Sequence, residues 1–286
     1  MSFAILHQLE LSWIKQLQAI RSLWLDEIMK ILNLVDTMPS WLFIVLGTLF
    51  LFHHKVGIRM LFLLLLSAIF NQDLKALFAQ PRPLQLDPSL AVVYIHSFGF
   101  PSGAAQTATV LAGFLATSVR KAWFWYCALF FILLISFSRV YLGVHFISDV
   151  IGGWIAGVVL LVGYLYALPP LERLLEKSSF SLCCALLALG SIAAMFLCST
   201  SAGVSIGAFG FGVGLGFLLS SPLDTPTLWS KKIQRFLIVA VGIFFLLILQ
   251  KPLTSLPWMR FLFPVVSGLW IGYGGIALSR KIEKLY

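Results

Sequence analysis

Charge is what this chain has least of. Only 11% of its 286 residues are charged and 60% are hydrophobic, which excludes a water-soluble globule because too much apolar surface would face solvent. The apolar runs also lack the alternating pattern of a barrel strand, so helices are the expected spanning element. A net charge of +9 would suit nucleic acid if it lay along one polar stripe. The basic residues are instead scattered between apolar runs, and no nucleic-acid partner is expected. Cysteine is sparse as well: Cys127, Cys183, Cys184 and Cys198 all lie inside apolar runs, where a thiol is a packing residue. Neither a disulfide framework nor a redox compartment follows. The N-terminus has no basic segment leading into an apolar run and a small-residue cleavage site, so no removable signal peptide is expected. No internal repeat or low-complexity linker interrupts the chain.

What is present is a series of apolar runs of the length a bilayer requires, about 20 residues for a core of about 30 Å. They fall at 39–54, 57–79, 101–118, 122–138, 146–168, 180–198, 202–220, 235–250 and 261–279. The expected fold is all-α, a polytopic membrane bundle of about nine spans. Eight or ten are also allowed, because the first run is short and the glycine-rich seventh is weakly hydrophobic. Residues 4–35 mix apolar positions at helical spacing with Lys15, Arg21, Asp26, Glu27 and Lys30. They read as one or two amphipathic helices on the membrane surface, or as soluble helices packed on a loop, with nothing catalytic about them. Three regions follow: N-terminal interfacial helices over 1–38, a helical core over 39–168, and a four-helix extension over 169–286, divided by the charged segment that opens at Pro169.

Orientation comes from the basic loops. Lys55, Arg59, Arg120, Lys121, Arg173, Lys177, Lys231, Lys232, Arg235, Arg280, Lys281 and Lys284 fall on one side, twelve of the 20 basic residues. The positive-inside rule makes that side cytoplasmic, with Lys251, Arg260, the N-terminal helices and all three polar clusters described below on the other face. Trp41, Trp123, Trp125, Trp229 and Trp258 lie near span ends, as an interfacial belt would. Gly203, Gly207, Gly210, Gly212, Gly214 and Gly216 mark a helix face suited to close packing, within one chain or between copies in a homo-oligomer, in preference to lining a substrate path.

Three short polar clusters stand out between Lys75 and Asp149. In the first, Lys75 and Arg82 are seven residues apart, so on a continuous helix both would point to one side, with Asn71 a turn earlier; Pro81 and Pro83 tend to stop that helix at Arg82. Interfacial snorkelling is the ordinary alternative for this pair. In the second, Pro101, Ser102 and Gly103 open a helix whose free N–H groups suit phosphate oxygens, although a plain N-cap explains the same residues. In the third, Arg139 is followed by His145 and Asp149 at i and i+4. There a carboxylate holds one imidazole nitrogen and leaves the other lone pair to attack phosphorus; a structural His–Asp pair is the alternative. Fixed cations around such a histidine would stabilise a phosphoryl group in flight.

The pattern of Lys75, six residues, Arg82-Pro83, then Pro101-Ser102-Gly103, then Ser138-Arg139, five residues, His145, three residues, Asp149 resembles the signature of the type 2 phosphatidic acid phosphatase superfamily. That superfamily also holds glucose-6-phosphatases, sphingosine phosphate phosphatases and vanadium haloperoxidases. The resemblance covers residues 56–160, and the nine-span layout is similar to that of the glucose-6-phosphatases. It implies a phosphatase in which His145 forms a phosphohistidine, Asp149 orients it, and Lys75, Arg82, Ser102, Gly103 and Arg139 cradle the phosphoryl oxygens. No metal and no cofactor are implied.

One position departs from the pattern. Where the family carries a histidine after Pro-Ser-Gly, as general acid for the leaving alkoxide, this chain has Ala104. The loss removes a role that typically contributes ~10²- to 10⁴-fold. An engineered substitution, a naturally impaired enzyme and rescue by His96 all account for it, and the intact surroundings favour the first. The expected substrate is an amphiphile at the membrane boundary: phosphatidate, phosphatidylglycerol phosphate, a polyprenyl diphosphate or a sphingoid phosphate. A sugar phosphate is the competing choice, and a non-catalytic lipid-phosphate binder or transporter the alternative of another class. The expected location is a cell inner membrane or endomembrane, with the site facing periplasm, exterior or lumen.

Overall fold

The computed structural model describes residues 3–198, 202–220, 228–253, 256 and 258–284. Among these every regular element is helical. Two N-terminal helices, α1 (Phe3–Gln18) and α2 (Leu23–Val35), precede α3 (Met38–Gly47), which runs on through a π-turn at Thr48–Phe52. Then come α4 (His54–Phe78), the single turn α5 (Pro83–Leu86), α6 (Gly103–Val119), α7 (Ala122–Tyr141) and α8 (Ile147–Lys177). The chain continues with α9 (Phe180–Leu197), α10 (Ala202–Leu219), α11 (Trp229–Leu253) and α12 (Met259–Leu269), which passes through a second π-turn into α13 (Gly275–Glu283).

The molecule is the expected all-helical, multi-span membrane protein. Among the described residues seven helices are long and apolar enough to cross a bilayer, and an eighth span is present if α2 and α3, bent by 63° at their junction, form one. The expected run at 101–118 folds as α6, whose 17 residues lie at the short end of the range that crosses a bilayer core.

Two compact units divide the chain, Met1–Trp41 with Leu66–Leu165, and Leu42–Leu65 with Tyr166–Tyr286. In the first, α7 packs on α1, α2 and α6. Close approach of α6 to α8 is permitted by glycine: a methyl on Gly153 would stand 2.6 Å from the Ser102 carbonyl, and one on Gly157 would be 2.9 Å from Thr109 Cβ. The turn between α7 and α8 depends on Gly143, whose φ of 69° lies in the left-handed region. There a side chain would also strike the Leu90 carbonyl.

In the second unit α10 packs on α9 and α12. Its glycines serve that packing: methyls on Gly203 and Gly207 would meet Cys198 and Met195, and those on Gly212 and Gly216 would collide with the Val265 carbonyl and Gly272. No disulfide joins the four cysteines among the described residues, and two of them are buried. Trp123, Trp125, Trp229 and Trp258 are exposed as a belt requires, whereas Trp41 is buried. The side chain of Lys251 lies outside the described residues.

Candidate active site

The three clusters meet inside the first unit. Lys75 occupies the last turn of α4, and its Nζ donates to the carbonyls of Phe98 at 2.6 Å and Gly99 at 3.2 Å. Arg82 is not on the same helix, contrary to the helical spacing. The helix ends at Phe78, Ala79 turns into the left-handed region (φ 46°), and Arg82 sits in extended backbone as the N-cap of α5. Pro81 and Pro83 explain the break, since neither can extend the α4 hydrogen-bond ladder. The two cations still converge: Arg82 donates from Nε to the Ser97 carbonyl at 2.6 Å, from Nη2 to Ser97 Oγ at 2.9 Å and from Nη1 to the Val144 carbonyl at 2.7 Å.

Ser102 caps α6, its Oγ accepting from Ala105 N–H, while its own N–H donates to the Asp149 carbonyl at 2.8 Å. Gly103 makes room for Asn71, whose Oδ1 would lie 2.9 Å from any added methyl. Asn71 in turn donates to Gln106 Oε1 at 2.9 Å, and Gln106 to the Ser67 carbonyl at 2.9 Å and hydroxyl at 3.0 Å. This polar ladder fixes α6 against α4. Ala104, in the first turn of α6, is buried.

His145 precedes α8 by two residues rather than riding on it, and the i,i+4 pairing forms because Asp149 reaches back from the helix's first turn. Asp149 Oδ2 accepts Phe146 N–H at 2.9 Å and lies 3.1 Å from His145 Nδ1, much as a helix-capping side chain does. His145 Nε2 lies 3.0 Å from Arg82 Nη1. A guanidinium has only protons to offer, so Nε2 is the acceptor and carries the lone pair, and Nδ1 carries the proton given to Asp149. Burial, reinforced by the charges of Arg82, Lys75 and Arg139, holds the imidazole well below its usual 6.5. It is therefore neutral near pH 7. Asp149 Oδ1 is buried with no partner among the described residues.

Arg139, on the last turn of α7, is 2% exposed. Its Nε and Nη2 donate to Ser138 Oγ at 3.1 and 3.0 Å, and its Nη1 to Asn33 Oδ1 at 2.7 Å and Asp36 Oδ2 at 3.2 Å. Asn33 and Asp36 belong to the N-terminal region that the sequence marks as non-catalytic. So does Glu10, whose carboxylate accepts the N–H and hydroxyl of Ser148 at 2.6 and 2.8 Å, beside Asp149. The one available signal was a carboxylate at the edge of an apolar run, which in a membrane protein marks function. His96 is exposed, although its neighbour Ser97 touches Arg82.

Chemically, three buried cations and a neutral histidine with an oriented lone pair are groups that can receive a phosphoryl group and accept its transfer to nitrogen. The model of the PAP2 superfamily matches residues 57–173. Phosphatidylglycerophosphatase B of Bacillus subtilis is 32% identical over 154 residues, 49% of this chain and 74% of that protein. The undecaprenyl-diphosphatase of Sulfolobus acidocaldarius is 32% identical over 106 residues, with 36% of this chain and 51% of the relative covered. Among solved structures, the transmembrane PAP2 type phosphatidylglycerolphosphate phosphatase from Bacillus subtilis superposes with a TM-score of 0.50 at 28% identity, over 62% of this chain and 89% of its own. Aquifex aeolicus LpxE gives 0.50 at 26% identity, over 55% of this chain and 94% of its own. With three separated motifs folded into one buried site and three quarters of a relative's length matched, the chain belongs to the PAP2 superfamily.

Proposed function

We propose that this protein is an integral membrane phosphatase that hydrolyses the phosphomonoester or diphosphate of a lipid through a phosphohistidine at His145. The observation that carries this reading is the bonding of one imidazole: Nδ1 held by Asp149 and Nε2 facing Arg82, with burial keeping the ring neutral. Nε2 attacks phosphorus in line with the departing oxygen, so that a P–N bond forms as the P–O bond breaks. Lys75, Arg82 and Arg139 offset the charge spread over the equatorial oxygens, and the α6 N-terminus with Ser102 adds backbone donors. Water then attacks the phosphohistidine, releasing inorganic phosphate and returning the lone pair to Nε2.

Ala104 shapes the substrate choice. An alkoxide leaving from a phosphomonoester needs a proton in the transition state, and alanine has none to give. A phosphate monoester leaving from a diphosphate is stable as an anion at neutral pH and needs far less help. Among lipids, diphosphates therefore suit this chain better than monoesters. The basic-loop asymmetry supports a site on the non-cytoplasmic face.

The test is phosphate release from lipid monoesters and lipid diphosphates by the chain as given and by Ala104→His. Restoring histidine is expected to raise monoester hydrolysis by ~10²- to 10⁴-fold and diphosphate hydrolysis by much less. Silence of Ala104→His on every substrate would replace the catalytic reading with lipid-phosphate binding or transport.

A further inference from the structure

The phosphate-site arginine is gripped from outside the part of the chain that the family model covers. Asn33 and Asp36 lie ahead of residue 57, where the family match begins, yet they take both hydrogens of Arg139 Nη1. Ser138 Oγ takes Nε and one hydrogen of Nη2. Of the five donors on a guanidinium, four are thus committed to the protein. One Nη2 hydrogen is left, with no partner among the described residues.

Asp36 is itself held. It follows the last turn of α2, its N–H donating to the Leu32 carbonyl at 3.2 Å, and its Oδ1 accepts Trp41 Nε1 at 3.3 Å. Trp41 is buried with its ring edge-on to Phe131 of α7, centroids 6.0 Å apart. The carboxylate is thereby anchored to the same helix that carries Arg139. A buried guanidinium also needs a countercharge before any anion arrives, and Asp36 is the only carboxylate within bonding distance of Arg139 among the described residues.

We infer that Asp36, with Asn33, is a positioning residue for Arg139: by engaging Nη1 it aims the remaining Nη2 hydrogen at the phosphoryl oxygen, so the N-terminal helices complete the active site. The inference rests on Arg139 being a phosphate ligand, as proposed above. It makes the bend between α2 and α3 part of the catalytic apparatus, with substrate affinity dependent on a segment where sequence shows only an amphipathic pattern.

The experiment uses the full chain in detergent and inorganic orthovanadate, a phosphoryl-transfer mimic, as probe. Its affinity is measured for the parent, Asp36→Ala, Asp36→Asn, Arg139→Ala and the Asp36→Ala/Arg139→Ala pair. Asp36→Ala is expected to weaken binding about tenfold or more, the scale of one charge-assisted hydrogen bond. Asp36→Asn, which keeps an acceptor for Nη1, should recover most of that loss. The double variant should bind no worse than Arg139→Ala alone, the mark of two residues acting through one contact. In the Ala104→His background, Asp36→Ala should raise KM more than it lowers kcat. Unchanged or tighter vanadate binding by Asp36→Ala, or losses that simply add, would overturn the positioning role and leave Arg139 as a ligand. If Arg139→Ala itself binds vanadate as the parent does, the phosphate-site reading falls and the inference with it. Should Asp36→Ala fail to fold, Asn33→Ala removes the shorter of the two Nη1 bonds, and its affinity decides the matter on the same terms.

Discussion

The interiors of the two units are built from opposite materials. The first buries Lys75, Arg82, Arg139, His145 and Asp149 together with Asn71, Ser102 and Gln106. The second is apolar and glycine-lined, and among its described residues Arg235, bonded to Glu283, is the one buried charged side chain. Ionisable groups in a membrane interior are costly and persist where function requires them, whereas small residues are how membrane helices gain contact. The first unit is therefore organised around a buried polar cluster and the second around packing.

Substitutions in each unit should fail in different currencies. The largest effect belongs to the nucleophile: in the Ala104→His background, His145→Ala should cut phosphate release by on the order of 10³-fold or more, with little change in thermal stability. Retention of substantial turnover would remove His145 from the mechanism. The pH dependence of that same background sharpens the point. The folded imidazole titrates below 6.5 because burial and three cations oppose its charge, so nucleophilic activity should hold as pH falls to 6.5 and be lost only further down. Stability moves with it: below 6.5 the unfolded chain binds the proton more readily, so unfolding becomes easier as pH falls towards the folded value. An acidic limb centred at or above 6.5 would contradict this environment.

In the second unit, Gly212→Leu forces a side chain into the Val265 carbonyl. It should destabilise the protein by about 1–3 kcal/mol, the usual range for overpacking, measured as a fall in melting temperature in detergent. The folded fraction should keep its turnover. The smallest effect is expected at the half-exposed pair of Arg59 and Glu172, 2.7 Å apart. Glu172→Gln should change stability by less than ~1 kcal/mol, and a larger loss would mean that polar contacts matter in this unit more than its interior suggests.

The helices were legible because apolar runs of span length admit one backbone solution in lipid. The site was legible as a set of residue types, since lysine, arginine, histidine and aspartate stand out in an oily chain. Their backbone settings were less so. Lys75 and Arg82 fit a helical spacing, but Pro81 and Pro83 place Arg82 in a loop that reaches the same stretch, Ser97–Gly99, from another direction. His145 and Asp149 fit one helical face, but the helix begins at Ile147, and the aspartate closes the pair by reaching back. Asn33, Asp36 and Glu10 were hidden because an amphipathic pattern records how polar a face is, and cannot say that a distant arginine or serine will be folded onto it.

The 3.0 Å contact between Arg82 Nη1 and His145 Nε2 carries a consequence for selectivity towards reagents. With His145 as the proposed nucleophile, its electron pair is already given to a proton of the guanidinium, and burial closes the remaining approach. Aldehydes, oxidised lipid fragments and other stray electrophiles that collect in a membrane meet a nucleophile that is occupied. A phosphoryl group, having oxygens to offer Arg82 in exchange, carries the means of uncovering it.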